Sequence, residues 1–106
     1  MKWIRIFDKL TNAINTIPNG NSKLVIIGDH RICLSNVHDQ FYAIKDACPH
    51  SGHSLSQGKI NYLNEIVCPL HGYRFSLKHG QEGDQKCKDA QTYRVKVREE
   101  GLYIMI

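Results

Sequence analysis

Two short segments each place one cysteine and one histidine almost side by side. They are Cys48-Pro49-His50 and Cys68-Pro69-Leu70-His71, separated by seventeen residues between His50 and Cys68. Each loop offers one sulfur and one nitrogen donor, so a fold that brings the two together has a two-sulfur, two-nitrogen ligand set. Zinc in a closed tetrahedral site and iron in a cluster both suit such a set. A zinc finger pairs like with like, Cys-x₂₋₄-Cys with His-x₃₋₅-His. Here each loop mixes the two types. In a two-iron cluster whose two histidines replace two cysteines on one iron, each mixed loop sends its cysteine to one metal and its histidine to the other.

The rest of the chain reads as the scaffold for these loops. Leu10, Ala13, Ile14 and Ile17 recur at helical spacing, with Asp8 as the expected N-cap and Pro18 closing the segment, so one short helix is expected near the start. From Lys23 the signal is β. Leu24–Ile27 forms an apolar strand, Gly28-Asp29-His30 turns it, and Arg31–Val37 returns with alternation. Phe41 to Ile44 makes another strand after the His38-Asp39-Gln40 turn. Tyr93, Val95 and Val97 alternate with Arg94, Lys96 and Arg98, which predicts one continuous half-buried strand. Glu99-Glu100-Gly101 then turns it into Leu102–Ile106. The expected fold class is all-β. Short antiparallel strands form stacked sheets in a sandwich, and a cluster-binding subdomain at about 46–78 is inserted into a single domain of residues 1–106.

Composition narrows the class of function. With 42% hydrophobic and 23% charged residues the chain is globular in type. The longest apolar runs are five residues, against about 18 for a membrane span. Met1-Lys2-Trp3-Ile4-Arg5 carries charge inside its apolar stretch and has no small-residue cleavage site. It does not read as a secretory signal, so a cytoplasmic protein is expected. In a reducing compartment four cysteines point to metal or redox work rather than disulfides. The formal net charge of +4 favours an acidic partner, and the scattered basic residues carry no nucleic-acid motif.

Cys48-Pro49-His50-Ser51-Gly52 and Cys68-Pro69-Leu70-His71-Gly72-Tyr73-Arg74-Phe75, with Leu55-Ser56-Gln57-Gly58 between them, resemble the Rieske [2Fe–2S] family. The resemblance implies stacked antiparallel sheets with one [2Fe–2S] cluster at a tip. It implies Cys48 and Cys68 on the buried iron, and His50 and His71 on the iron nearest the surface. The high-potential members carry an extra cysteine in each loop, forming a disulfide. The matching positions here are His53 and Leu70. They also place serine and tyrosine hydroxyls on the cluster sulfurs, where this chain has Tyr73 and Phe75. Fewer hydrogen bonds leave more charge on sulfur, so the resemblance implies a low-potential, ferredoxin-like member. Many relatives have a proline in a third loop over the cluster, whereas Gly80 to Ala90 has none.

The implied function is one-electron transfer from a flavin-dependent reductase to a terminal oxygenase or similar oxidoreductase, with no catalytic residues of its own. A subunit bound permanently within a larger enzyme such as nitrite reductase is the alternative. A zinc-stabilised binding module is a third reading. Cys33 is expected as a small buried side chain and Cys87 as a free thiol in a polar loop. His53 is expected beside the cluster surface or solvated, and His30, His38 and His79 at the surface. Lys86, Lys88, Arg94, Lys96 and Arg98 form either a basic docking patch or a solvated strand face.

Overall fold

The computed structural model describes residues 1–106. The fold is all-β with one short helix, as expected. Its elements are β1 (Trp3–Phe7), α1 (Leu10–Thr16), β2 (Ser22–Ile27), β3 (His30–Val37), β4 (Gln40–Lys45), a 3₁₀ turn (Leu55–Gln57), β5 (Lys59–Ile60), β6 (Glu65–Val67), β7 (Arg74–Ser76), β8 (Thr92–Tyr93), β9 (Val95–Arg98) and β10 (Gly101–Met105). They form three antiparallel sheets of strand order β1-β10-β9, β2-β3-β4-β8 and β5-β6-β7. No helix is long and apolar enough to cross a membrane.

The four-stranded sheet is the middle layer, and β3 shows why. Successive side chains of a strand point to opposite faces. Ile32 and Leu34 enter one core with Ala13, Ile17, Phe41, Ala43, Leu102 and Ile104. Cys33 and Val37 enter a second core with Ile44, Cys48, Leu55, Ile66, Cys68 and Phe75. The strand is therefore buried on both faces. One face carries β1, β9, β10 and the helix; the other carries the lobe that holds the two Cys/His loops. Cys33, fully buried, is a packing residue as expected.

The helix presents Ala13 and Ile17 inward, with Leu10 and Ile14 partly covered. Burial of an isoleucine such as Ile17 contributes roughly 1.5–3 kcal/mol. Asn36, itself buried, donates from Nδ2 to the Ile17 carbonyl at 2.7 Å, joining the helix end to β3. The N-cap expectation is corrected. Lys9 holds that position without a side-chain cap, and Asp8 instead accepts from Asn12 Nδ2.

The strand read as continuous from Tyr93 to Arg98 is also corrected. Thr92 and Tyr93 pair with β4, whereas Val95–Arg98 pairs with β10, and the chain changes sheets at Arg94. Between β4 and β8 the chain makes one long excursion. Its neck closes where the Lys45 amide donates to the Gln91 carbonyl at 2.8 Å.

Candidate metal centre

The two Cys/His loops have the same backbone. In the first, the Cys48 amide donates to the His53 carbonyl at 2.9 Å and the Gly52 amide to the Cys48 carbonyl at 2.7 Å. In the second, the Cys68 amide donates to Tyr73 at 2.7 Å and the Gly72 amide to Cys68 at 2.9 Å. Each glycine lies four residues after its cysteine, with φ of +77° and +74°. That left-handed conformation costs glycine little and other residues roughly 1–2 kcal/mol, which explains why both tight loops carry Gly there.

This shared geometry sorts the side chains by depth. Cys48 and Cys68 are 3% and 1% exposed, inside the second core, whereas His50 and His71 are exposed. The two imidazole rings lie 5.3 Å apart at 66°. Buried sulfurs thus sit beneath a surface pair of imidazoles. The Ser51 hydroxyl lies 3.6 Å from Cys68 Sγ, within hydrogen-bonding reach of sulfur. Burial pushes the Cys68 thiol up. The Leu70 and His71 amides, the Ser51 hydroxyl and the adjacent Cys48 thiol outweigh it and hold the group below its ordinary value. Desolvation instead pushes Cys33 up to about 11, and burial raises Cys87. Of these three thiols, Cys68 is the one whose surroundings favour the thiolate, the form that binds metal.

The donor set fits a two-metal cluster. A closed zinc site needs four ligands around one ion. Two irons sharing bridging sulfides need two pairs, and pairs are what the loops present.

Buried carboxylates hold the loops in place. Asp46, 2% exposed, accepts from the Ser56 amide at 2.8 Å and the Ser54 hydroxyl at 2.6 Å, fixing the segment after the first loop. Glu82, 1% exposed, accepts from the backbone amides of Asp84 at 2.9 Å, Lys86 at 3.0 Å and Arg74 at 3.2 Å. It organises the third loop, which has no proline, and ties it to β7. Arg74 adds ion pairs to Glu65 at 3.0 Å and Asp84 at 3.3 Å. Asp46, Glu82 and Ser51 were not singled out from the sequence. Each is a common polar residue whose partners are set by loop conformation. The Asp or Ser beside a cysteine motif is the one signal that points to two of them.

Tyr73 and Phe75, where the high-potential members have hydroxyl donors, take other roles. Phe75 is fully buried, and Tyr73 stacks flat against the His50 ring. His53 is half-buried and serves the first loop through its carbonyl. His38 and His79 are exposed as expected. His30 is corrected: it is half-buried, its Nδ1 lying 3.2 Å from the Tyr93 hydroxyl. Cys87 is half-buried against the core of this lobe. The five basic residues do not form one patch. Lys86 lies near Tyr73 and Lys88 near Cys48, whereas Arg94, Lys96 and Arg98 line a separate groove.

Residues 9–98 match the family model described as Rieske [2Fe-2S] domain. The ferredoxin subunit of 3-phenylpropionate/cinnamic acid dioxygenase from Shigella boydii serotype 4 is 38% identical over 89 residues, covering 83% of each chain. Ferredoxin CarAc of Metapseudomonas resinovorans is 30% identical over 101 residues, 94% of each chain. Among solved structures, a complex of reduced oxygenase and oxidized ferredoxin in carbazole 1,9a-dioxygenase superimposes with a TM-score of 0.80. It is 28% identical and covers 96% of this chain and 91% of that one.

Proposed function

We propose, for a chain that belongs to the Rieske [2Fe–2S] domain family, that Cys48 and Cys68 hold the inner iron of its cluster, that His50 and His71 hold the outer iron, and that it serves a terminal oxygenase. The protein is a one-electron carrier of the Rieske ferredoxin type, not an enzyme on its own. The observation that carries the ligand assignment is the depth sorting: two buried sulfurs beneath two exposed imidazoles.

When bound, a [2Fe–2S] cluster takes up and releases one electron at a time. The chain sets the terms of that exchange. His50 and His71 place their rings at the surface, which gives an electron a short path to a docked protein. The buried sulfurs of Cys48 and Cys68 keep the other side dry. Ser51 donates toward Cys68, and the amides of Leu70 and His71 draw charge off the same sulfur. No hydroxyl is available from Phe75, and the Tyr73 ring is occupied with His50. The lack of these hydroxyl donors supports a potential toward the bottom of the roughly −150 to +300 mV Rieske range.

The relatives supply the partner class. One is a subunit of a dioxygenase and another was solved in complex with an oxygenase. By that likeness, electrons enter from a flavin-dependent reductase and leave to a ring-hydroxylating oxygenase. A small subunit held within a larger oxidoreductase ranks behind it, because a relative at 38% identity is the ferredoxin subunit of a dioxygenase. Four cysteines without a disulfide suit the cytoplasm.

The test is EPR of the purified, dithionite-reduced protein alongside iron, acid-labile sulfide and zinc analysis. A rhombic signal of the histidine-ligated type, with two irons per chain, is expected. It should be lost in His71→Ala and shifted toward an all-cysteine spectrum in His50→Cys. A colourless protein with stoichiometric zinc overturns the reading, and an unchanged signal in both variants overturns the ligand assignment.

A further inference from the structure

The outward face of the β1-β10-β9 sheet carries an unusual set of side chains. Register pairs Tyr103 with Lys96, Arg5 with Tyr103 and Trp3 with Met105, so Trp3, Arg5, Tyr103 and Lys96 share one face. The opposite face, with Leu102 and Ile104, is in the core. Lys96 Nζ sits 4.5 Å from the Trp3 ring centroid and 5.0 Å from that of Tyr103. It is a fixed cation on an aromatic platform rather than a freely solvated one.

Beside it β9 is an edge strand. Between β9 and Phe41–Ala43 runs an open groove of about 890 Å³. Lys78, Arg94, Lys96 and Arg98 line it, together with apolar side chains that include Phe41, Leu77, Val95 and Val97, and no carboxylate does. The three ion pairs of the protein join Arg74 and Lys86 to Glu65 and Asp84, so none neutralises a groove cation. A smaller cavity of about 160 Å³ shares Tyr42, Leu77 and Lys78 and continues to Leu63, which is 55% exposed.

From this we infer that the groove binds an acidic, extended segment of a partner protein, with carboxylates on the four cations and an aliphatic or aromatic side chain on the apolar floor. Openness argues for a segment: small-molecule pockets bury most of their ligand, whereas this groove lies open to solvent. Charge argues for acidity. Basic residues on an edge strand repel a second copy of a chain of net charge +4 and admit an acidic strand. The apolar floor and exposed Leu63 favour protein over nucleic acid.

None of the residues that carry the metal centre lines the groove. A partner anchored there leaves the His50–His71 surface open. Anchoring raises the effective concentration of the cluster at its electron acceptor without blocking transfer. Groove binding does not depend on the ligand assignment above, and the test reads binding alone.

The test is fluorescence anisotropy of a labelled short peptide alternating glutamate and leucine, titrated with the cluster-loaded protein. The same peptide with lysine for glutamate and a single-stranded oligonucleotide are run alongside. Saturable, salt-sensitive binding of the acidic peptide is expected. Lys96→Glu with Arg98→Glu should weaken it by at least about tenfold, or 1.4 kcal/mol. Lys59→Glu, an exposed lysine outside the groove, should leave it nearly unchanged. Trp3, the only tryptophan, reports on the unaltered protein: its emission should shift with the acidic peptide alone. No binding, equal weakening by Lys59→Glu, a silent Trp3, or tighter binding of the oligonucleotide overturns the proposal.

Discussion

The imidazole of His50 lies flat on the ring of Tyr73, with centroids 4.0 Å apart and planes 9° from parallel. Lys86 Nζ is 5.0 Å from the same tyrosine ring. An exposed histidine on a tight loop has freedom to rotate, and this stack removes it. Tyr73 is itself fixed, because its carbonyl accepts from the Cys68 amide. A stacked aromatic pair contributes about 0.5–1.5 kcal/mol beyond area burial. Tyr73→Leu should therefore broaden the EPR lines of the reduced protein and speed loss of its visible absorbance in air several-fold. Tyr73→Phe keeps the ring and should behave as the native protein. If Phe proves as damaging as Leu, the hydroxyl matters and the stack does not.

Ser51 is the one side-chain hydroxyl within reach of a cluster-loop sulfur, 3.6 Å from Cys68. A donor to sulfur withdraws charge and favours the reduced state. Ser51→Ala should lower the reduction potential by tens of millivolts, since a hydrogen bond of ~1 kcal/mol corresponds to roughly 40 mV for one electron. Ser51→Thr should restore most of the loss. Voltammetry decides it: an unchanged potential in Ser51→Ala means the hydroxyl is not a donor to the cluster.

The candidate metal centre was legible because metal-ligand chemistry admits few side chains at few spacings. The fold brings the His50 and His71 rings to 5.3 Å and sets Cys48 beside Cys68. The strands of the scaffold were legible through their period. What the period did not carry was which sheet a strand joins. Thr92-Tyr93 and Val95–Arg98 alternate without a break, and only the pairing partners reveal the switch at Arg94. Nor did it show that β3 feeds two cores, since a strand buried on both faces loses its polar alternation. Glu82 was invisible for a different reason. Its three partners are backbone amides, which every residue carries, so nothing in the residue types around it marks the site.

Glu82 gives a pH-dependent prediction. Burial alone would raise its carboxyl. The amides of Lys86, Arg74 and Asp84 outweigh burial and hold it below the ordinary 4.5. A carboxyl depressed in the folded state stabilises fully above its unfolded value, and the contribution is lost as pH falls through the folded value. Glu82→Gln has one acceptor oxygen and no charge. It should cost about 1–3 kcal/mol at neutral pH. The gap to the native protein should close as pH drops below 4.5. Asp84 titrates in both proteins, and because its charge repels that of Glu82 it narrows the gap at neutral pH without changing its sign. Thermal melts across acid pH test this, and a gap that stays constant removes the carboxylate from the account.

The third loop closes at Gly80. Its amide donates to the Ser76 carbonyl at 2.8 Å, and its carbonyl accepts from the Ala90 amide at 2.8 Å. Its φ is +82°, and an added Cβ would lie 2.0 Å from the Ala90 carbonyl oxygen. That neighbour is backbone and cannot swing aside. Gly80→Ala therefore combines a left-handed residue with a clash, for about 2–5 kcal/mol in total. Gly28, at φ +57°, has open space where its Cβ would point. Gly28→Ala isolates the conformational part, about 1–2 kcal/mol. The difference between the two, measured by denaturant unfolding, is the cost of forcing apart the ends of the loop that carries Glu82, Lys86 and Cys87. Because Cys87 packs against the core containing Cys48 and Cys68, Gly80→Ala should also bleach faster in air than Gly28→Ala. Equal unfolding costs, or equal bleaching, would show that the loop tolerates opening and does not shield the buried sulfurs.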